Sequence, residues 1–261
     1  MRSTTFLSRI LFVLIVLFLA GCSDGLKPEL TDGNSNTPAV TPPPAVPEKM
    51  GLPVKFLLVG DSLMIEGFGP AMEKALLEHE GVSLVREGVY STGLNRTDFF
   101  DWAAKTEELI GINKPDALIV MFGANDGQGI TDSNGKDHPL GTPGWSETYG
   151  QRVNAYLTRI SPRVKKIYWV GHPIPGNDNF MRKITAMNPV YQTEAAKFPN
   201  VVYVNTWDRF AVNGKYSRMV TDDDGKSAAA KSGDGIHVTS FGGKIMAGVV
   251  LKATQKDIDI K

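Results

Sequence analysis

The sequence predicts an α/β fold in which a parallel sheet of five strands is covered by helices on both faces. From Val54 onward, short apolar runs alternate five times with segments of helical periodicity. Three of the runs are almost continuously apolar, which is typical of strands buried on both faces. Regular strand–helix alternation favours a parallel sheet, because neighbouring parallel strands are usually joined by a helix.

Each element is predicted from its own pattern. The apolar runs give strands at 54–59, 83–89, 116–122, 165–170 and 201–205. Helices are expected at 68–80, 97–111, 146–161, 188–198 and 239–255. In the last helix, Phe241, Ile245 and Val249 repeat along one face, and Thr239 or Ser240 can act as N-cap. Ligands in such folds bind beyond the carboxyl ends of the strands, so the residues after each strand matter most.

The totals describe an ordinary globular chain with no net charge. Of 261 residues, 42% are hydrophobic, and 28 basic side chains balance 28 acidic ones. The length suits one well-packed domain with appendages. Without a basic patch there is no electrostatic reason to expect nucleic acid as a partner.

Residues 1–22 have the pattern of a lipoprotein signal peptide. Arg2 and Arg9 precede an apolar run from Ile10 to Ala20, which is short for a helix that crosses a bilayer. The segment LAGC at 19–22 resembles a bacterial lipobox, in which the cysteine is acylated after cleavage. We therefore expect a lipid-anchored protein of the cell envelope that faces the periplasm, with the outer membrane favoured over the inner. A chance cysteine beside an uncleaved anchor is the alternative.

Residues 23–50 are expected to form a proline-rich linker, and residues 51–261 the folded domain. The linker contains TPAVTPPPAVPEK, which has too little apolar surface to fold and favours an extended spacer. Cys22 is the only cysteine, so an internal disulfide is excluded.

Five polar, glycine-rich turns are predicted to meet at one edge of the sheet, an arrangement typical of a binding site. They are Gly60-Asp61-Ser62, the segment GVYSTGLNRTD at 88–98, Gly123-Ala124-Asn125-Asp126, Gly171-His172-Pro173 and Gly233-Asp234-Gly235-Ile236-His237.

These turns contain the residue types that acyl transfer needs. Ser62 can act as nucleophile if His237 takes its proton, and Asp234, three residues before His237, can orient the imidazole. The backbone N–H groups of Ser62 and Gly93 and the amide of Asn125 can donate to an oxyanion. Each residue also has a structural interpretation: Ser62 as a helix N-cap, Asp234 and Asn125 as turn residues, and His237 as a structural histidine.

Taken together, GDS at Ser62, the glycine at Gly93, GAND at Asn125 and DGIH at 234–237 resemble the four blocks of the SGNH (GDSL-type) hydrolases. The resemblance covers about residues 54–252 and points to a poorly characterised envelope lipoprotein branch of the group. It implies a flavodoxin-like three-layer α/β/α sandwich with five parallel strands. It also implies Ser62, His237 and Asp234 as triad, with Ser62, Gly93 and Asn125 as oxyanion donors.

Two departures from the family pattern leave alternatives open. The second block reads YSTGLN, so Gly88 competes with Gly93, which we favour because it stands just before the helix expected at 97. After GAND comes an insertion, GQGITDSNGKDHPLGTPGWSETYG, which contains His138 and Trp145. An exposed Trp145 would suit a sugar ring, whereas a Trp packed on the domain is the alternative. Asp61, His172 and Trp145 are the further candidates for contact with substrate, and His172 is the rival base.

The sequence thus predicts a serine-dependent ester hydrolase or O-acyltransferase, acting through an acyl-enzyme on small acyl esters of envelope glycans. No cofactor and no metal site is expected, and protein partners are not indicated. An inactive SGNH-like glycan-binding lipoprotein is the main alternative. An α/β-hydrolase is disfavoured because Met64 stands where its nucleophile elbow needs glycine. A phosphate-binding module is disfavoured because GDSLMIEG lacks the Lys-Ser/Thr of a P-loop.

Overall fold

The computed structural model describes residues 48–261, which contain one five-stranded parallel sheet. The predicted signal peptide at 1–22, with Cys22, and the predicted linker up to residue 47 lie outside the described residues. The strands of this sheet are β1 Val54–Gly60, β2 Val82–Gly88, β3 Ala117–Met121, β6 Lys166–Val170 and β7 Val201–Val204. They follow the spatial order β2-β1-β3-β6-β7.

Helices cover both faces of this sheet, so the predicted flavodoxin-like three-layer α/β/α sandwich is confirmed. The helices are α1 Ser62–Ile65, α2 Phe68–Leu77, α3 Trp102–Asn113, α4 Pro143–Ile160, α5 Asp178–Ala195 and α6 Ser240–Thr254. Within residues 48–261, none of them has the length and hydrophobicity that crossing a bilayer requires.

Strand alternation divides the core into two halves. Leu57 and Val59 of β1 point into the half under α3, α4 and α5, whereas Phe56 and Leu58 point into the half under α1, α2 and α6. All four side chains have no exposed surface. The near-continuous apolar pattern of β1 is therefore explained by burial on both faces.

The register of the sheet brings three chain segments to one edge. Gly60, the last residue of β1, pairs with Gly88 of β2 and with Met121 of β3. A Cβ built on Gly60 would overlap the Met121 carbonyl oxygen, so only glycine allows the strands to end this close together. The segments after residues 60, 88 and 121 therefore start side by side.

The structure differs from the expected elements in where three helices begin and in the insertions. The helix expected at 97–111 begins at Trp102, because Asp101 is its N-cap. The helix expected at 188–198 begins at Asp178, because Asn177 caps it there by accepting hydrogen bonds from the backbone N–H groups of Asn179 and Phe180, and it contains Pro189. The helix expected at 146–161 begins at Pro143, so Trp145 is helical. Three short hairpins were not expected: β4 Ile130–Thr131 with β5 Asp137–His138, β8 Ala211–Val212 with β9 Lys215–Tyr216, and β10 Met219–Thr221 with β11 Ser227–Ala229.

Candidate active site

Ser62 is the first residue of α1, directly after β1, and its hydroxyl does not cap the helix. The N-cap is Asp61, whose Oδ1 accepts a hydrogen bond from the Leu63 N–H at 3.0 Å. The Ser62 hydroxyl lies instead 3.2 Å from Nε2 of His237. The capping role that the sequence allowed for Ser62 thus falls to its neighbour, and the hydroxyl is left for another contact.

His237 and Asp234 meet within one tight turn before α6. Nδ1 of His237 lies 2.7 Å from Oδ2 of Asp234, so serine, histidine and aspartate form one hydrogen-bonded line. The other carboxylate oxygen of Asp234 accepts from the N–H groups of Ile236 at 2.8 Å and His237 at 3.1 Å. Burial raises the pKa of Asp234, but the bonds from the His237 ring and these two N–H groups outweigh it and leave the pKa below its usual value. Asp234 therefore stays charged at neutral pH, which fixes the imidazole tautomer with its proton on Nδ1.

Asn125 follows β3 and lies beside the Ser62 turn. Its Nδ2 donates to the Thr92 carbonyl at 3.0 Å and to Oδ2 of Asp61 at 3.3 Å. The amide is thereby held between the turn after β1 and the loop after β2. The longer bond to Asp61 is the weaker of the two, so it is the one that an oxyanion could replace.

Gly93 is buried in the loop after β2, packed against the carboxylate of Asp126. A Cβ on Gly93 would overlap both oxygens of that carboxylate. The same carboxylate accepts the N–H groups of Leu94 at 2.6 Å and Asn95 at 2.9 Å. The glycine is required here because any side chain would collide with Asp126. Gly88, the alternative, ends β2 and has Ile65 where its side chain would be.

Asp126 is a site residue that the sequence reasoning did not single out, although it stands next to Asn125 in GAND. It is 2% exposed and also accepts a bond from the Tyr149 hydroxyl at 2.7 Å. Burial raises its pKa, and the bonds from Tyr149, Asn95 and Leu94 oppose that rise. Its chemical effect is to fix the loop that carries Gly93. The signal available in the sequence was an acidic residue directly after a buried strand and its turn.

Asp61 was expected to contact substrate, and the structure contradicts this. The side chain has no exposed surface, and its two oxygens accept from Leu63 and Asn125. Burial raises its pKa to about 7, although the Leu63 N–H opposes the rise, and the charge of Asp126 adds to it. Asp61 therefore supports the site indirectly, by capping α1 and accepting a hydrogen bond from Asn125.

Trp145 was offered as an exposed platform, and this is also contradicted. Its side chain has no exposed surface, because the first turn of α4 directs it into the core against Tyr149, with ring centroids 4.8 Å apart. Its indole N–H donates to the Gln128 carbonyl at 2.6 Å. Trp145 is therefore packed on the domain, which was the alternative that the sequence left open. His138 of the same insertion bonds Asp132 at 3.0 Å.

His172, the rival base, is 2% exposed and does not take part in the hydrogen-bonded line of Ser62. Burial and, to a smaller extent, the charge of Lys231 lower its pKa to about 4, although a bond to the Phe122 carbonyl opposes them. A neutral, enclosed imidazole has almost no surface for the substrate contact that the sequence predicted.

Residues 55–253 match the family described as "Protein of unknown function (DUF459)". No curated protein matches the chain. Among solved structures, the fold is similar to that of Axe2, an acetylxylan esterase from Geobacillus stearothermophilus, with a TM-score of 0.58 at 20% identity over 79% of this chain and 96% of that one. It is also similar to LAE5, an alpha/beta hydrolase enzyme from the metagenome of Lake Arreo, Spain, with a TM-score of 0.56 at 17% identity over 79% and 97%. The solved forms of Axe2 include catalytic mutants in which a serine, a histidine or an aspartate is replaced by alanine.

Proposed function

We propose a function for this chain from its site, because the chain belongs to the DUF459 family, which is described as having unknown function. The chain is a serine-dependent ester hydrolase or O-acyltransferase of SGNH type. It acts through an acyl-enzyme on small acyl esters, in particular acetyl esters, of cell-envelope glycans.

The observation that carries this proposal is the line from Ser62 through His237 to Asp234, with distances of 3.2 and 2.7 Å. A serine hydroxyl becomes a useful nucleophile when a base takes its proton as it attacks. Asp234, as a carboxylate, stabilises the imidazolium that forms on His237. Both side chains are about 40% exposed, at 39% for His237 and 42% for Asp234, so the line is open to solvent and to a substrate.

In the proposed reaction, Oγ of Ser62 forms a bond to the ester carbonyl carbon while its proton passes to Nε2 of His237. The carbonyl electron pair moves onto oxygen and returns as the bond to the alcohol breaks, and His237 gives its proton to that alcohol. The acyl group then stays on Ser62 until water or a sugar hydroxyl, deprotonated by His237, takes it. The choice of acceptor distinguishes hydrolysis from transfer.

Donors for the oxyanion are proposed from the three turns that meet at the sheet edge. The Ser62 N–H stands in the first turn of α1, where backbone donors have no partner within the helix. The Gly93 N–H and the Asn125 amide complete the set. The contact of Asn125 with Asp61 supports this role, because it holds the amide beside the nucleophile turn.

The fold shared with an acetylxylan esterase supports acetylated sugars as the substrate class for this chain. A site that is open to solvent is compatible with a polymer, since a polymer needs an accessible cleft. No further partner enters the proposal, and neither a cofactor nor a metal is needed for these steps.

Ser62→Ala tests the nucleophile with p-nitrophenyl acetate as reporter. We expect kcat to fall by about 10³-fold or more, with the unfolding midpoint unchanged. The kcat of His237→Ala should fall by a similar factor, whereas His172→Ala should keep most of its activity per folded molecule. If the Ser62→Ala protein hydrolyses the reporter as fast as wild type, the assignment is wrong. A wild-type protein that binds acetylated oligosaccharide but never turns over would favour the inactive glycan-binding lipoprotein.

The natural substrate is tested by comparing acylation of envelope glycans in cells with and without the gene. More acylation in the deletion strain indicates an esterase, and less indicates a transferase. Unchanged acylation in every glycan fraction would contradict the proposed substrate class.

We also propose that the chain is held at the envelope by lipid on Cys22, facing the periplasm and more often on the outer than the inner membrane. The support is the sequence of residues 1–22 alone. Mass spectrometry of the mature N-terminal peptide should find a lipid-modified Cys22, and Cys22→Ala should release the protein from the membrane fraction. An unmodified Cys22 would contradict the anchor.

A further inference from the structure

Lys231 is a buried lysine directly beneath the turn that carries His237. It is 1% exposed, although lysine is almost never fully buried without a charged partner. Its ammonium donates to the carbonyl of Ile236 at 2.9 Å and lies 5.5 Å from the centre of the Phe210 ring. The side chain thus reaches across its own turn and holds the backbone of the residue just before His237.

The surroundings of Lys231 are largely apolar and give no packing reason for an ammonium. It lines one small cavity together with Leu63, Phe180, Ile184 and Ile236. The ionisable groups that face it are Asp234 on its own turn and His172 across the cavity. Burial lowers the pKa of Lys231 to about 7, because the charge of Asp234 opposes this effect only in part. A methionine of similar length would fill this space without the cost of burying a charge.

Position gives a reason for the lysine. Leu63 follows Ser62 and Ile236 precedes His237 in the chain, so the cavity that Lys231 lines lies between the nucleophile turn and the base turn. The turn is closed by the Ser232 N–H on the His237 carbonyl at 2.8 Å and by a bridge between Lys231 and Val238. Asp234 holds the N–H groups of Ile236 and His237, and the Lys231 ammonium holds the Ile236 carbonyl.

We propose that Lys231 is a positioning residue, which fixes the Ile236 carbonyl and thereby keeps Nε2 of His237 in reach of the Ser62 hydroxyl. This role rests on the proposed function of the Ser62–His237–Asp234 line. The hydrogen bond persists when the amine is neutral, because an amine still donates. A buried residue that is kept for activity often lowers stability, so removing the amine of Lys231 should lower activity without lowering stability.

Lys231→Met in the full-length protein is the test, with p-nitrophenyl acetate as substrate. We expect kcat to fall by about 10- to 100-fold with KM within about twofold, as misplacement of a base affects the chemical step more than binding. The unfolding midpoint should stay the same or rise. Lys244→Met, at an exposed lysine of α6 with a side chain 69% exposed, is the matched control and should leave kcat and KM unchanged.

Two results would overturn the role. One is a Lys231→Met protein with wild-type kcat. The other is a lowered midpoint with unchanged activity per folded molecule, which is what a purely structural lysine would give. If Lys231→Met does not fold, Lys231→Leu decides by the same criteria. Lys231→Gln keeps an N–H donor and should recover part of kcat, and a Gln variant no faster than the Met variant would contradict the hydrogen-bond basis. Failure of the proposed function is distinct, because wild type itself would then be inactive.

Discussion

At the scale of single residues, the turn after β1 assigns helix capping to Asp61 and leaves the hydroxyl of Ser62 for His237. Aspartate and serine are both good N-caps, and moving the helix start by one residue exchanges their roles. The structure gives the cap to Asp61, because its buried carboxyl also accepts from Asn125. That second contact comes from a residue 64 positions away, so local sequence could not assign the cap.

Gly93→Ala tests the contact between the loop after β2 and Asp126. The added methyl would meet the carboxylate, so we expect a loss of about 1–3 kcal/mol in the free energy of unfolding and a fall in kcat/KM. Urea denaturation and reporter hydrolysis measure the two effects. Gly111→Ala is the control: its new methyl meets nothing within 4 Å on α3, and stability should stay the same or rise by up to about 1 kcal/mol. Equal stability of the two variants would contradict the packing argument.

At the scale of elements, the insertion after GAND is held to the domain by its own residues, which start α4 and place Trp145 in the core. Its last residues form the start of α4, with Thr142 as N-cap and Trp145 directed into an aromatic group that includes Tyr149 and Tyr191. An isolated Trp in a polar, glycine-rich stretch looks like a surface residue. Its burial follows from where the helix begins, which is the least reliable feature of a sequence pattern.

Trp145→Ala should therefore act on stability. We expect the free energy of unfolding to fall by about 3–5 kcal/mol, because a large buried ring is lost and the Gln128 carbonyl loses its donor. Phe99→Ala, at a ring that is 62% exposed, should change it by about 0.5 kcal/mol or less. A Trp145→Ala protein with wild-type stability and a raised KM for acetylated oligosaccharides would instead support a role as sugar platform.

At the scale of the whole molecule, the sheet could be predicted from the sequence, but the burial of certain polar side chains could not. All five strands and the layer arrangement follow from alternation of apolar runs and helical periodicity, because parallel strands must be buried on both faces. The turns at the carboxyl edge follow from that topology. Burial of Asp61, His172 and Lys231 depends on packing between distant segments, so the sequence suggested Asp61 and His172 as substrate contacts and did not single out Lys231.

Burial of Lys231 should appear in the pH dependence of the whole molecule. Its pKa is near 10.5 in the unfolded chain and about 7 in the folded protein. Between these values the unfolded chain binds the extra proton, so the free energy of unfolding must rise with pH above 7. The tyrosines Tyr149, Tyr156 and Tyr191, whose pKa values are raised by burial, reverse the trend only above pH 10.

From pH 7 to pH 10 we therefore expect wild type to gain stability by roughly 4 kcal/mol at most, measured by urea denaturation at several pH values. Lys231→Met should abolish most of this gain, and it should be the more stable protein at pH 7, since no charge is then buried. Lys244→Met should keep the wild-type slope, because its side chain is exposed in both states. If the stability of wild type does not change across this range, Lys231 keeps its proton in the folded protein. Burial of Lys231 would then not lower its pKa, and the argument that the protein loses stability by burying this lysine would fail.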